Sequence, residues 1–170
     1  MINIAVLGEK DEKIFKLKLL SIMTQLGFEY INISSRLKND LYDYVILNST
    51  TLIRNKEIRC NQYLVNMDKV IENKNHISGN LITYGYGFKN TITISSFEEE
   101  NLGFVYCVQR FIKANANRLL GPQEIPIMVH IDSEESLYIY MVAITVALIE
   151  GMNSEEIRER LDNNNLIYSV

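Results

Sequence analysis

The sequence predicts an α/β fold: a mostly parallel sheet, a small attached antiparallel sheet, and helices at the C-terminal end. Three observations predict it. The apolar runs at residues 2–8, 28–33, 43–48 and 62–66 are mainly continuous, as in strands covered on both faces, and a helical period at 12–26 separates the first two. From residue 77 the texture changes to short strands divided by turn residues. The last third holds a long apolar helical run that stops at Gly151, then a second, capped helix.

In chain order, the first strand runs from Ile2 into Gly8. The helix that follows places Phe15, Leu19, Ile22, Met23 and Leu26 on one stripe at i, i+4, i+7, i+8 and i+11, with Lys13, Lys16 and Gln25 mostly on the other side. Gly27 ends it, and strands follow at 28–33, 43–48 and 62–66. Strand–helix–strand and then loop-linked strands give an open, mostly parallel sheet with one clear crossover helix. Segments 34–41 and 50–61 are candidates for further short helices. Strands at 81–84, 91–95, 103–109 and 125–131 are separated by turns containing Gly85, Gly87, Lys89-Asn90 and Gly121-Pro122. Alternation in 91–95 predicts an antiparallel, half-exposed arrangement. Residues 113–120 fit either one helical turn or a strand continuation. Glu134–Glu150 reads as a buried central helix, too short to cross a membrane, and Asn153 with Glu156 forms a capping box for a helix carrying Ile157 and Leu161. Residues 166–170 read as an edge strand or a frayed tail. The expected organisation is a single module: a parallel part at 1–75, antiparallel strands at 76–131 and helices at 132–163.

Composition narrows the function classes. With 170 residues, 47% hydrophobic and 22% charged, the chain can bury one good core. A net charge of −4 and a sequence pI near 5.3 argue against nucleic acid or an anionic membrane as partner. No apolar run approaches a membrane span, and the opening strand pattern lacks the features of a signal peptide, so a cytoplasmic location is expected. Cys60 and Cys107 lie far apart and read as free thiols.

The segment 1–34 has the outline of a P-loop-like nucleotide unit without its phosphate chemistry. A phosphate-binding loop joins strand to helix through glycines and ends in Gly-Lys-Ser/Thr. Here the link is Gly8-Glu9-Lys10-Asp11-Glu12-Lys13-Ile14. With Gly8 opening the loop, Glu12 holds the phosphate-facing lysine position and Ile14 the magnesium-binding hydroxyl position. Acids at a helix N-terminus suit its dipole but repel a triphosphate. The phosphate-facing position itself holds a carboxylate in place of a compensating cation.

The order of elements resembles the central, ATP-binding domain of the Mur ligases and their folylpolyglutamate synthase relatives, over almost the whole chain. The family's strand, Gly-Thr-x-Gly-Lys-Thr-Thr loop and helix ending near glycine are matched by Ile4-Ala5-Val6-Leu7-Gly8, the substituted loop, and Ile22 to Gly27. The family's next strand ends in a magnesium-binding glutamate; its counterpart here ends in Asn48. Tyr63-Leu64-Val65-Asn66-Met67-Asp68 is similar to a strand ending in Asn and acids, and either of two such family motifs corresponds to it. Leu81-Ile82-Thr83-Tyr84-Gly85 is similar to a strand ending in Phe/Tyr-Gly. The family's His-Asn/Asn segment before the long helix falls on Ser133, Glu135, Ser136 and Ile139. The chain is shorter than the family between Asn48 and Tyr84, and no ligase C-terminal domain follows the last helix.

The resemblance therefore implies a pseudoenzyme: a degenerate Walker A loop, no catalytic residue, no metal ligand set and no bound cofactor. It would serve as a binding or scaffold protein in bacterial cell-envelope or spore biology, with a protein partner or a second copy of itself. The alternative is a small-ligand or nucleotide binder that uses the strand C-terminal ends, with Gly8, Glu12, Asn48, Asn66 and Asp68 as the candidate pocket. An ATP-dependent ligase subunit completed by another chain is the weakest reading, because phosphoryl transfer relies on charge neutralisation that these positions lack.

Other groups weigh toward structure. His76 and His130 have no spaced metal partners, and Glu98-Glu99-Glu100 reads as a turn face. Cys60 beside Arg59 is a candidate activated thiol, set against an inert core cysteine; Cys107 reads as a small core residue. Asp132, Glu134 and Glu135 suit a helix N-terminus. Tyr84-Gly85-Tyr86-Gly87 with Phe88 is a candidate contact surface, against simple packing of a turn.

Overall fold

The computed structural model describes residues 1–8, 12–35, 41–51, 57–70, 77–98 and 102–162. The loop at 9–11, residues 36–40 and 52–56 of the two candidate short-helix segments, His76, Glu99-Glu100 and the 166–170 strand expectation lie outside the described residues. The end of the second segment, 58–61, is strand and not helix because it pairs in the sheet.

Strand β1 (Ile2–Leu7) leads into helix α1 (Glu12–Gln25), then β2 (Ile31–Ser34), β3 (Tyr42–Leu47), β4 (Ile58–Asn66) and β5 (Ile77–Tyr84). β6 (Ile92–Phe97) and β7 (Phe104–Val108) follow, then a small hairpin of β8 (Ile112–Lys113) and β9 (Leu119–Leu120) around a 3-10 turn at Asn115–Asn117. β10 (Gln123–Ile127), α2 (Glu134–Glu150) and α3 (Ser154–Asp162) complete the order. Eight strands form one sheet in the order β10-β7-β6-β5-β4-β3-β1-β2, and β8-β9 forms a separate two-stranded antiparallel sheet. The fold is α/β and mostly parallel, as predicted.

The stretch expected to be wholly antiparallel divides. β5 pairs with β4 in parallel, β6 touches β5 in parallel at Tyr84↔Ile92, and only the β6–β7 and β7–β10 ladders are antiparallel. β7 is thus the one strand of the large sheet that runs against the others. Strand direction depends on how a connection crosses the sheet, and composition within the strand does not encode that. At 113–120 both expectations hold in part, because a helical turn sits between two short strands.

Alternating side chains of the strands enter two cores. On one face Ile4, Val6, Tyr44, Ile46, Leu64, Ile82 and Tyr106 pack against all three helices; on the other, Ala5, Leu7, Val45, Leu47, Tyr63 and Val65 cluster with Val70. The predicted α1 stripe is buried throughout, each large side chain contributing about 1.5–3 kcal/mol relative to exposure. α2 is buried on nearly every side because the sheet, α1 and α3 all contact it. Its one buried polar side chain in the middle, Thr145, bonds Met141 O at 2.6 Å and the Tyr106 hydroxyl at 2.8 Å. Ser133 caps its start, and Gly151, at φ +113°, ends it in a left-handed conformation. Asn153 Oδ1 accepts from Glu156 N at 2.9 Å, the Asn153 half of the predicted capping box, while the Glu156 carboxylate accepts from Arg160 at 2.6 Å. Arg160 donates to Leu26 O at 2.6 Å and Gln25 donates to Arg160 O and Leu161 O at 3.1 Å, so the ends of α1 and α3 satisfy each other. Among the described residues no helix is long and apolar enough to cross a membrane.

Candidate functional site at the strand ends

Because β1, β3, β4 and β5 are parallel neighbours, the residues just past each strand come side by side. This is the edge where open α/β sheets place ligands, at the point where the strand order reverses between β1 and β3. Asn48, Asn66 and Asp68 meet here through shared hydrogen bonds, and Gly8 lies beside them against Ser49. Glu12 opens α1, and its side chain lies outside the described residues.

Asn66 is fully buried and organises the turn beyond β4. Its Oδ1 accepts from Asp68 N at 3.0 Å and Lys69 N at 3.3 Å, folding the chain back across the strand ends. Its Nδ2 donates to Asn48 Oδ1 at 3.4 Å, which also receives the Tyr84 hydroxyl at 3.4 Å. Asn48 Nδ2 donates in turn to Glu135 Oε1 at 3.0 Å. Asp68 Oδ2 accepts from Tyr86 N at 2.8 Å and from the Tyr138 hydroxyl at 3.0 Å, tying the β4 turn to the β5–β6 turn and to α2.

One participant escapes a reading of the loop alone. The sequence shows no compensating cation at the phosphate position, yet the fold brings Lys69 to this edge. Its ammonium lies 3.1 Å from Glu134, 3.8 Å from Glu135 and 5.3 Å from the centre of the Tyr138 ring. Lys69 is remote in sequence from both the loop and α2; the signal that could have found it is the Asn-x-Asp-Lys run after a strand, an Asx-turn pattern. Glu135, by contrast, occupies one of the positions matched to the family's polar segment, and the structure places it over Asn48.

The site is acidic and rich in aromatics. Glu134 and Glu135 face Lys69, Asp68 bonds Tyr86 N and the Tyr138 hydroxyl, and Tyr84, Tyr86 and Tyr138 stand together, with Tyr138 edge-on to both others. Burial pushes the Tyr84 hydroxyl well above its ordinary range, with the Glu135 charge adding to it. Burial and the bond to Asp68 raise Tyr138 likewise, so both are held as neutral donors. Beyond them Tyr86 lies against Phe97, both exposed, and Met67 and Phe88 are exposed as well, Tyr86 and Phe88 being in the Tyr84-Gly85-Tyr86-Gly87-Phe88 turn.

The remaining candidates do not form a reactive centre. Alternation along β4 places Cys60 and Arg59 on opposite faces: Arg59 pairs with Glu57 at 3.5 Å, while burial pushes the Cys60 thiol up to about 11. Burial, then the nearby Glu124 charge, also raises the Cys107 thiol. Among the described residues no group of three or more His, Cys, Asp or Glu could hold a metal ion. Asp132 instead accepts from Ser136 and from Lys18 (3.3 Å), and Lys18 reaches Ser136 at 2.9 Å, an arrangement that joins the start of α2 to α1. The Ser136 bond is the main cause of the lowered Asp132 pKa. His130 is exposed on the rim of the same groove.

No protein-family model matches the chain, and no curated protein matches it significantly. Among solved structures it is similar to MurF from Acinetobacter baumannii, with a TM-score of 0.53 and 12% identity over 94% of this chain and 45% of that one. The chain therefore spans less than half the length of that relative, and at this identity the likeness is one of fold. The chain has a distant Mur-ligase-like fold.

Proposed function

We propose that this chain is a non-catalytic Mur-ligase-like module, a pseudoenzyme that acts by binding a protein partner or a second copy of itself. The observation that carries the reading is the position of the Glu135 carboxylate. It accepts from Asn48 at the strand edge and stands beside Lys69, so the Lys69 ammonium is already paired with the chain's own acids. An incoming triphosphate would meet Asp68, Glu134 and Glu135 in place of unpaired donors. The acid at position 12, where a phosphate-binding lysine would stand, supports the same reading from sequence. The exposed aromatic surface beside the crevice supplies area for a partner. A role in cell-envelope or spore biology rests on the fold analogy.

Thermal denaturation with ATP, ADP or a UDP-sugar, each with and without magnesium, tests the proposal. No stabilisation and no ATP turnover are expected. A rise of several degrees with a nucleotide would support ligand binding at the strand ends instead, and turnover by the purified chain would restore a ligase role. Light scattering over a concentration series separates self-association from a heterologous partner.

A further inference from the structure

At the opposite end of β4 and β5, three departures from regular structure converge on one place. The β4–β5 register slips between Arg59 and Gln62: two residues of β4, Cys60 and Asn61, stand opposite Gly79 alone. A side chain at Gly79 would lie 2.7 Å from Cys60 Sγ and 2.8 Å from Cys60 O, so the bulge needs glycine there. Over it crosses the strap between β8 and β9, where Ala116 and Asn117 adopt φ +55° and +58°, a left-handed conformation unusual for non-glycine residues. Beneath the strap Gln62, 3% exposed, donates Nε2 to Lys113 O at 2.9 Å. That bond fixes which way the amide faces, and Oε1 then has no hydrogen-bond partner among the described residues.

Between strap and strands lies an open cleft of about 500 Å³. Gln62, Asn61, Asn80, Asn115 and Asn117 line it together with the Ser78 hydroxyl, and Lys113 is its one charged side chain among the described residues. Asn61 and Asn115 each commit one amide hydrogen-bond donor elsewhere, to Asp43 at 3.2 Å and Glu150 at 2.9 Å. Their amide oxygens remain as acceptors. A side-chain amide offers a donor and an acceptor side by side, which matches adjacent hydroxyl groups, each both donor and acceptor. Such a lining offers an anion a single lysine against many neutral amides, and a hydrophobe no extended apolar wall.

We propose that this cleft binds an uncharged polyhydroxylated ligand, a short neutral saccharide, through the side-chain amides of Gln62, Asn80 and Asn117. Gln62 Oε1 is sealed from water, so a ligand hydroxyl reaches it when the left-handed strap shifts, and that bond satisfies the orphaned acceptor. Local irregularities that a fold could avoid, gathered at one cleft, are the pattern of a binding site.

Titration of the full chain with glucose, N-acetylglucosamine, maltose and cellobiose, followed by amide NMR shifts, tests this. Saturable shifts are expected for at least one sugar at residues 60–62, 78–80 and 113–117. Gln62→Met, which keeps the shape and removes the amide, should weaken binding about tenfold without loss of folded signal. Asn80→Ala, in an exposed position, should weaken it as well and serves if the Gln62 variant does not fold. The proposal is overturned if no sugar shifts these residues, if shifts appear there only with inorganic phosphate, or if Asn80→Ala binds sugar as tightly as the parent.

Discussion

Truncating Glu135 to alanine tests the idea that this carboxylate holds the strand-end network together. The substitution leaves Asn48 Nδ2, in a residue 4% exposed, without the acceptor it has at 3.0 Å. Losing the partner of a buried donor costs about 1–3 kcal/mol. The ion pair to Lys69 adds little: it is long, and the lysine side chain is 36% exposed, so about a few tenths of a kcal/mol is at stake. Removing an acid from the first turn of α2 adds about 0.3–1 kcal/mol, partly offset by the helix propensity of alanine. The net expectation is a loss of about 1.5–3 kcal/mol, and about 2 kcal/mol corresponds to a Tm lower by about 4–8 °C at this chain length. Glu135→Gln keeps an acceptor for Asn48 and should lose about 1 kcal/mol or less. Urea denaturation at neutral pH, with m-values checked for equality, measures both. If the alanine variant lies within about 0.5 kcal/mol of the parent, or the glutamine variant is equally destabilised, the hydrogen-bond argument fails.

Two further outcomes follow from local geometry and titration. Gly85 sits at φ +144° and a Cβ there would lie 2.6 Å from the Asp68 carboxylate, whereas at Gly151, φ +113°, nothing comes nearer than 3.9 Å. Gly85→Ala should therefore lose more than about 2 kcal/mol and Gly151→Ala about 1 kcal/mol; thermal melts showing equal losses would contradict the contact at Asp68. Burial, chiefly, raises the hydroxyl pKa of Tyr44, Tyr84, Tyr106 and Tyr138. Their stabilising effect is fully present below the unfolded tyrosine value near about 10 and is lost as pH rises above it, because the unfolded chain releases protons the folded chain keeps. Phenolate absorbance from these groups should appear together with loss of the circular dichroism signal; full ionisation with native dichroism intact would refute the reasoning.

Much of the fold was legible because it rests on local periodicity. The stripe from Phe15 to Leu26, the Asn153 cap and the Gly151 terminus are each set by residues within a few positions of one another, and the Ser133 cap, not expected from the sequence, is equally local. The strand-end site was legible in outline, since residues that end parallel strands must meet at one edge. Its electrostatics were not. Lys69 meets Glu134 and Glu135 across the chain, and Cys60 loses any help from Arg59 because alternation sends them to opposite faces. The bulge at Cys60-Asn61 depends on a strand partner distant in the chain, with Gly79 its one trace in the sequence, and the left-handed Ala116-Asn117 carries no glycine to announce it.

By itself the sequence determined the three main helices, the approximate places of most strands, and that the sheet is mostly parallel; the bounds of β2, β4, β5 and β10 differ from those expected. Hydrogen bonding and burial over a few residues decide those features. Tertiary structure alone decided that β5 runs parallel to β4, that an acid of α2 and the lysine after β4 close the strand-end crevice, and that an amide-lined cleft opens at the other end. Those depend on contacts between residues far apart in the chain, which take shape only when the sheet and its covering helices pack.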